Sequence, residues 1–100
     1  MTNTYAAVCA AHIGDPDVAA SRMFGADGLK VANKVFAMEF KGKLVVKLSR
    51  DRAQALIALG TALPFDPGHG RPMKQWITVA SDSSLDWLAL AAEAKSAVRG

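Results

Sequence analysis

Apolar and polar residues alternate with a period of two through the middle of the chain. Every second position is apolar in residues 29–31, 36–40 and 44–48, and polar or small residues fill most of the positions between them. This spacing predicts strands. Asn33 tolerates a left-handed backbone and marks a first turn, and residues 41–43 mark a second. The pattern therefore predicts a meander of three antiparallel strands.

The face that each strand buries depends on the length of the second turn. A two-residue loop would set Phe40 opposite Lys43 and place bulky side chains on both faces of the sheet. A three-residue loop pairs Phe40 with Leu44 and gives one continuous apolar face, so we prefer it. The predicted inner face then contains the following residues: Leu29, Val31, Phe36, Met38, Phe40, Leu44, Val46 and Leu48.

The opposite face of the meander mixes small apolar residues with lysines, which makes it a candidate interaction face. Its predicted members are Lys30, Val35, Ala37, Lys43, Val45 and Lys47. The alternative is a solvated sheet face whose lysines protect a strand edge.

Helical patterns flank and interrupt these strands. Asn3 or Thr4 can cap a first helix over residues 5–12, Ser49 can cap a second over 50–59, and Ser83 with Asp86 resembles a capping box before a last helix that ends near residue 98. Residues 62–65 and 73–80 are predicted to be extended. The order is helix, three strands, helix, two strands, helix. It predicts an α+β domain of two layers, with a mainly antiparallel five-stranded sheet and helices on one side.

Composition limits the class of protein. The 100 residues are 51% hydrophobic and 21% charged, with a net charge of +3, which fits one globular domain over residues 1–100. No apolar run is long enough to cross a bilayer, and the N-terminus lacks a secretory pattern. The single cysteine, Cys9, excludes an internal disulfide and is expected to be a small buried residue. We therefore expect a cytoplasmic protein.

One loop is a candidate anion site. Glycines at 68 and 70 could let backbone N–H groups converge on an anion, with positive charge from His69, Arg71 and Lys74 beside Gly70. We favour the alternative of a surface loop whose glycines serve only the turn. Asp15 and Asp17 around a proline, with Asp27, could hold a cation but more often form a turn.

No residues assemble into a catalytic or metal-binding motif, so we predict no enzyme activity and no cofactor.

The chain resembles the TfoX/Sxy N-terminal domain family in five stretches: Ser21–Gly25, Gly28–Leu29, Val35–Met38, Leu44–Leu48 and Gly70–Trp76. The similarity spans roughly residues 5–98, and the run Arg-Met-Phe-Gly at residues 22–25 is its most specific part. It implies a two-layer domain with this order of elements, similar to secretion-chaperone-like folds. The family takes its name from larger proteins, similar to competence regulators, that carry a second C-terminal domain. We expect no room for that domain in this chain.

Three functions follow from these observations. The leading hypothesis is a non-enzymatic module that binds a protein partner, or itself, through the open sheet face. The second is a regulator that acts near nucleic acid, as the family similarity and the positive charge indicate. The third is a small anion- or nucleotide-binding domain that uses the loop at residues 68–74.

Overall fold

The fold is a six-stranded antiparallel sheet with helices packed against it. The computed structural model describes residues 3–12, 14–23, 26–65 and 73–99. Within these ranges the elements, in chain order, are α1 (Tyr5–His12), β1 (Val18–Met23), β2 (Ala26–Val31), β3 (Lys34–Phe40), β4 (Lys43–Lys47), α2 (Arg50–Ala58), β5 (Leu63–Phe65), β6 (Met73–Val79) and α3 (Trp87–Arg99). The strands lie in the order β1-β2-β3-β4-β6-β5, and every neighbouring pair is antiparallel. The predicted α+β class is confirmed.

The described residues form one strand more than the five predicted, because β1 precedes the meander. Its sequence, Val-Ala-Ala-Ser-Arg-Met, carries no apolar alternation, and alanine is a weak strand former. The strand exists because it pairs with β2 over six consecutive positions, from Val18 opposite Val31 to Met23 opposite Ala26. Pairing with β2, rather than local sequence preference, therefore makes this segment a strand.

The main core lies between the sheet and the helices. It combines strand residues such as Leu29, Phe36 and Val46 with residues of all three helices. α3 packs on β3, β4 and β2, α2 packs on β6, and α1 packs on α3. The buried side of α3 consists of Trp87, Leu90, Ala91, Ala94 and Val98. Among the described residues, none of the helices has the length and apolar character needed to cross a bilayer.

Side chains cap the start of each helix. Thr4 Oγ1 accepts a hydrogen bond from Ala7 N–H at the start of α1, and Ser49 Oγ accepts one from Arg52 N–H at the start of α2. At α3, Asp86 Oδ1 accepts from Leu88 N–H. Asp86 is thus the cap that Ser83 was predicted to be.

Ser83 and Asn3 instead hold the approach to α3. Ser83 Oγ accepts from Leu85 N–H. Asn3 donates from Nδ2 to the Leu85 carbonyl at 2.9 Å and accepts from Trp87 N–H at 3.3 Å. A single amide side chain therefore joins the start of α1 to the start of α3.

Both hairpin turns of the meander contain two residues. Ala32 and Asn33 have φ values of 52° and 64°, and Lys41 and Gly42 have values of 54° and 77°. Two consecutive left-handed residues match the twist of antiparallel strands. The predicted three-residue second turn is therefore wrong, and Phe40 pairs with Lys43.

A β-bulge in β3 changes which side chains face the helices. Leu29 is opposite Ala37 while its neighbour Lys30 is opposite Val35, so Phe36 is an extra residue on β3. Phe36 and Ala37 both join the main core. Beyond them the alternation is inverted, and Met38 belongs to a second cluster with Phe40 packed against it. The prediction that Met38 and Phe40 share the inner face is wrong, and so is the placement of Ala37 on the outside.

The remaining predicted inner residues are confirmed in the main core: Leu29, Val31, Phe36, Leu44, Val46 and Leu48.

Two ion pairs hold the C-terminal half of α3 to the α1–β1 connection. Lys95 Nζ lies 2.9 Å from Asp15 Oδ2, and Arg99 donates to Asp17. Asp15 also accepts from Asp17 N–H. The pair Asp15 and Asp17 therefore forms the predicted turn, and Asp27 lies beside Arg22 instead of completing a cation site.

Substitution of Gly28 should destabilise the protein, because Gly28 pairs with Met38 just past the bulge in β3. A Cβ at this position would lie 2.9 Å from the Ala37 carbonyl oxygen and 3.2 Å from Met38 Cβ. We expect Gly28→Ala to lower the free energy of unfolding by about 1–3 kcal/mol, since backbone must move to accept it. Chemical denaturation measures this change.

Gly14→Ala is the matched control, because no atom lies within 4 Å of a Cβ added there. We expect it to stay within about 1 kcal/mol of the wild type. Equal stability of the two variants would contradict the tight crossing of β2 and β3.

The Asp15–Lys95 pair should make stability depend on acid. The hydrogen bond from Lys95, with that from Asp17 N–H, holds the pKa of Asp15 below its ordinary value of 3.8. The stabilisation is therefore complete above pH 3.8 and is lost as the pH falls through the lowered pKa.

Asp15→Asn should lower the melting temperature at pH 7, and the difference from wild type should shrink below pH 3.8. Thermal melts across this range test it. A difference that stays constant down to the acid limit would rule out this ionic contribution.

Candidate functional site

The face of the sheet away from the main core carries a second cluster of apolar residues. Ala26, Met38, Val45, Phe65 and Trp76 are buried in it, and Val35 and Phe40 pack against it partly exposed. None of these residues comes from a helix. We call this side the outer face, defined by the second cluster and by the strand residues that pair with it.

Three aromatic rings pack together on the outer face. Phe40 meets Phe65 edge to face, with ring centroids 5.3 Å apart, and Phe65 is tilted against Trp76 at 6.4 Å. Such contacts are favourable beyond simple burial of area. Val45, a predicted contact residue, is fully buried here, and Ala37 is buried on the helix side. These two side chains therefore support the sheet rather than offer a surface.

The charged side chains that the strand register places on the outer face are lysines. Lys30 is opposite Val35, Lys43 is opposite Phe40, and Lys47 is opposite Trp76. The two acids of the described strands have the other orientation. Leu29 and Leu44 face the main core. Asp27 is two residues from Leu29, and Glu39 is opposite Leu44, so both acids are on the helix side. The outer face of the described strands is therefore apolar and uniformly basic.

A lysine and an exposed leucine meet at one end of this face. Leu63 is opposite Thr78, which is opposite Val45, so Leu63 belongs to the outer face. Its side chain is 61% exposed. Lys43, Leu63 and Thr78 line a shallow cavity of about 380 Å³ together with the connection before α3. An apolar group and an anionic group could bind there side by side. Nothing in the sequence pattern distinguishes Leu63 from a core leucine.

Another shallow cavity lies between α1 and the β1–β2 hairpin. Its volume is about 530 Å³, and Tyr5, Cys9, Ala20 and Leu29 line it with the polar residues near Arg22. Cys9 is half-buried, not buried as predicted. Burial raises the pKa of the Tyr5 hydroxyl above its ordinary value of 10.0, and the nearby Cys9 and acidic side chains raise it further.

The Tyr5 hydroxyl is buried and makes no hydrogen bond to the part of the chain that the structure describes. Removing a buried hydroxyl without a partner removes a desolvation cost. We therefore expect Tyr5→Phe to be as stable as the wild type, or more stable by up to about 1 kcal/mol. Thermal denaturation checks this, and a loss of more than about 1 kcal/mol would mean that the hydroxyl has a stabilising partner.

The candidate anion loop falls mostly outside the described residues. His69, Gly70 and Arg71 lie there, and Lys74 belongs to β6 without a described side chain. This site stays a prediction. Of the stretch Arg22 to Gly25, Arg22 lies at the end of β1, 3.6 Å from Asp27, while Phe24 and Gly25 are also outside the described residues.

Fold and surface together define a small α+β domain whose antiparallel sheet has one helix-covered face and one basic, apolar face. The sequence model of the TfoX N-terminal domain matches residues 10–100. The chain therefore belongs to the TfoX N-terminal domain family, as its resemblance to that family predicted. No curated protein is similar enough to the chain to add a relative's function to this assignment.

Proposed function

We propose that this TfoX N-terminal domain is a non-enzymatic, cytoplasmic interaction module that binds an acidic protein through its outer face. The observation that carries the proposal is that every charged side chain which the described strands place on the outer face is a lysine. Lys30, Lys43 and Lys47 lie on the outer face, whereas the acids of the described strands lie on the other side. Complementary charge directs a partner to such a surface and fixes its orientation.

Affinity also needs an apolar anchor at the centre of the contact. Leu63 supplies an exposed apolar side chain beside Lys43, at the cavity that both line. Phe40 adds a half-buried ring, with the Lys41 ammonium group 5.4 Å from its centroid. A partner segment that presents a carboxylate next to a branched apolar side chain would match this end of the outer face.

Nucleic acid is the alternative ligand for the same lysines, and the family similarity favours it. Binding of single strands commonly uses exposed aromatic rings on which bases stack. Of the three aromatic rings on the outer face, Phe65 and Trp76 are buried, at 2% and 6% exposure, so that of these three Phe40 alone is partly exposed for stacking. The arrangement of the aromatic residues thus favours a protein partner. The anion-binding alternative at residues 68–74 rests on sequence alone.

Lys43→Glu should weaken partner binding, and Lys34→Glu is its matched control. Each lysine is exposed and begins a strand directly after a two-residue turn. Lys43 is opposite Phe40 on the outer face, whereas Lys34 is opposite Val31 on the helix side. Both variants change the net charge equally, so only the position of the charge differs.

The measurement is affinity capture from lysate of the source cells, with and without nuclease treatment, with wild type and both variants as bait. We expect a partner that wild type and Lys34→Glu retain equally and that Lys43→Glu retains on the order of fivefold less. Equal retention by all three baits would contradict the proposal. Capture that disappears on nuclease treatment would show that nucleic acid is the ligand instead.

A further inference from the structure

The two edges of the described sheet differ in their capacity to accept another strand. β5 has only three residues, and Pro64 at its centre has no N–H group to donate. β1 has six residues without proline or glycine, and it pairs with β2 in a regular register. Natural edge strands are usually protected by proline, bulges or lysine. Among the described strands, β1 is an edge with no proline, bulge or lysine, and its one charged residue, Arg22, lies near its end.

The orientation of the β1 backbone indicates which residues would pair with a new strand. Val18 N–H donates to the Asp15 carbonyl at 3.1 Å rather than to β2. Since backbone groups alternate in direction along a strand, Ala20 has the same orientation as Val18 and turns away from β2. Ala19 and Ala20 are both exposed. Their small side chains allow a second backbone to approach closely.

We propose that a second copy of this chain pairs antiparallel with β1, with Ala20 opposite Ala20 on a two-fold axis perpendicular to the sheet. This axis keeps the helices of both copies on the same side, so it preserves the alternation of faces in each strand. The register sets Val18 of each copy opposite Arg22 of the other. The result is one continuous sheet twice the width of the six-stranded sheet.

Charge in this register is complementary. The Asp17 carboxylate is on the helix side, because it accepts a hydrogen bond from Arg99 of α3. Arg22 is on the helix side too, since it is opposite Asp27, which lies two residues from Leu29 and faces the same side. Arg22 of the second copy would lie beside Val18, next to Asp17, and the symmetry repeats this pair. The interface thus has an ion pair at each end and alanine at its centre.

The dimer does not depend on the proposed binding of an acidic partner. The axis is perpendicular to the sheet and passes through the edge, so the outer face stays accessible in both copies. Loss of the dimer can therefore be distinguished from loss of partner binding.

Sedimentation equilibrium of the whole chain tests the dimer. The monomer mass is 10.5 kDa, and we expect about twice that mass at high concentration, with reversible dissociation on dilution. A monomer over the whole concentration range would overturn the proposal.

Two alanine variants locate the interface. Ala20→Asp places two carboxylates opposite each other on the axis, so we expect the dissociation constant to rise on the order of fivefold or more. Ala19→Asp is the control, because residue 19 would be opposite Ser21 and meets no like charge. Circular dichroism confirms that each variant is folded. A dimer that both variants weaken equally, or that neither weakens, would overturn this register.

A charge exchange provides the second test. Asp17→Arg and Arg22→Asp should each weaken the dimer, and the double variant should restore it. The double exchange disturbs the contacts of each chain with its own Arg99 and Asp27, so recovery cannot come from within one chain. Failure of the double variant to recover would contradict the intermolecular ion pairs.

Discussion

The whole arrangement depends on one extra residue in a central strand. Phe36 has no partner of its own in β2, and its presence turns both Phe36 and Ala37 toward the helices. Without this bulge the side chains of β3 would keep one alternation from end to end, and Met38 would share a face with Phe36. Gly28 opposite Met38 lets the two backbones approach closely just past this point.

The bulge gives the sheet an apolar cluster on each face. On the helix side, Phe36 contacts His12, which is buried in the last turn of α1 with Nδ1 2.9 Å from the Val8 carbonyl oxygen. On the other side, Met38 is buried with Val45 among aromatic rings. The same register that buries these residues brings the lysines to the outer face. The uniformly basic character of the outer face is thus a consequence of backbone geometry.

Much of the helical architecture could be predicted from sequence because its signals are local. Ser49 caps α2 as expected. Gly60, directly after the predicted end of this helix at residue 59, is a left-handed residue with φ 76° whose N–H donates to the Ile57 carbonyl. The alternation in β2, β3 and β4 also located these strands. The order of helices and strands predicted from the pattern agrees with the order that the resemblance to the family implies.

The strand register and the edge strands of the sheet could not be predicted from local sequence signals. The bulge has no turn residue to mark it, and the sequence allowed two lengths for the second turn. A rule that seeks one continuous apolar face favours the three-residue loop, whereas the protein buries apolar residues on both faces. The sequence pattern does not predict β1, because its alanines have neither period nor strand preference. The exposed Leu63 of the candidate surface could not be distinguished either, since exposure depends on the neighbours of a strand and not on its own sequence.

The inversion of β3 is most directly tested by nuclear Overhauser contacts of the Met38 methyl group. If Phe36 is the extra residue, this methyl contacts the Val45 methyl groups and the ring protons of Trp76, members of the same buried cluster. It then shows no contact with the side chains of α3 that pack on the opposite face, such as Leu90. Contacts from Met38 to Leu90 would mean a regular strand and would contradict the two-sided sheet.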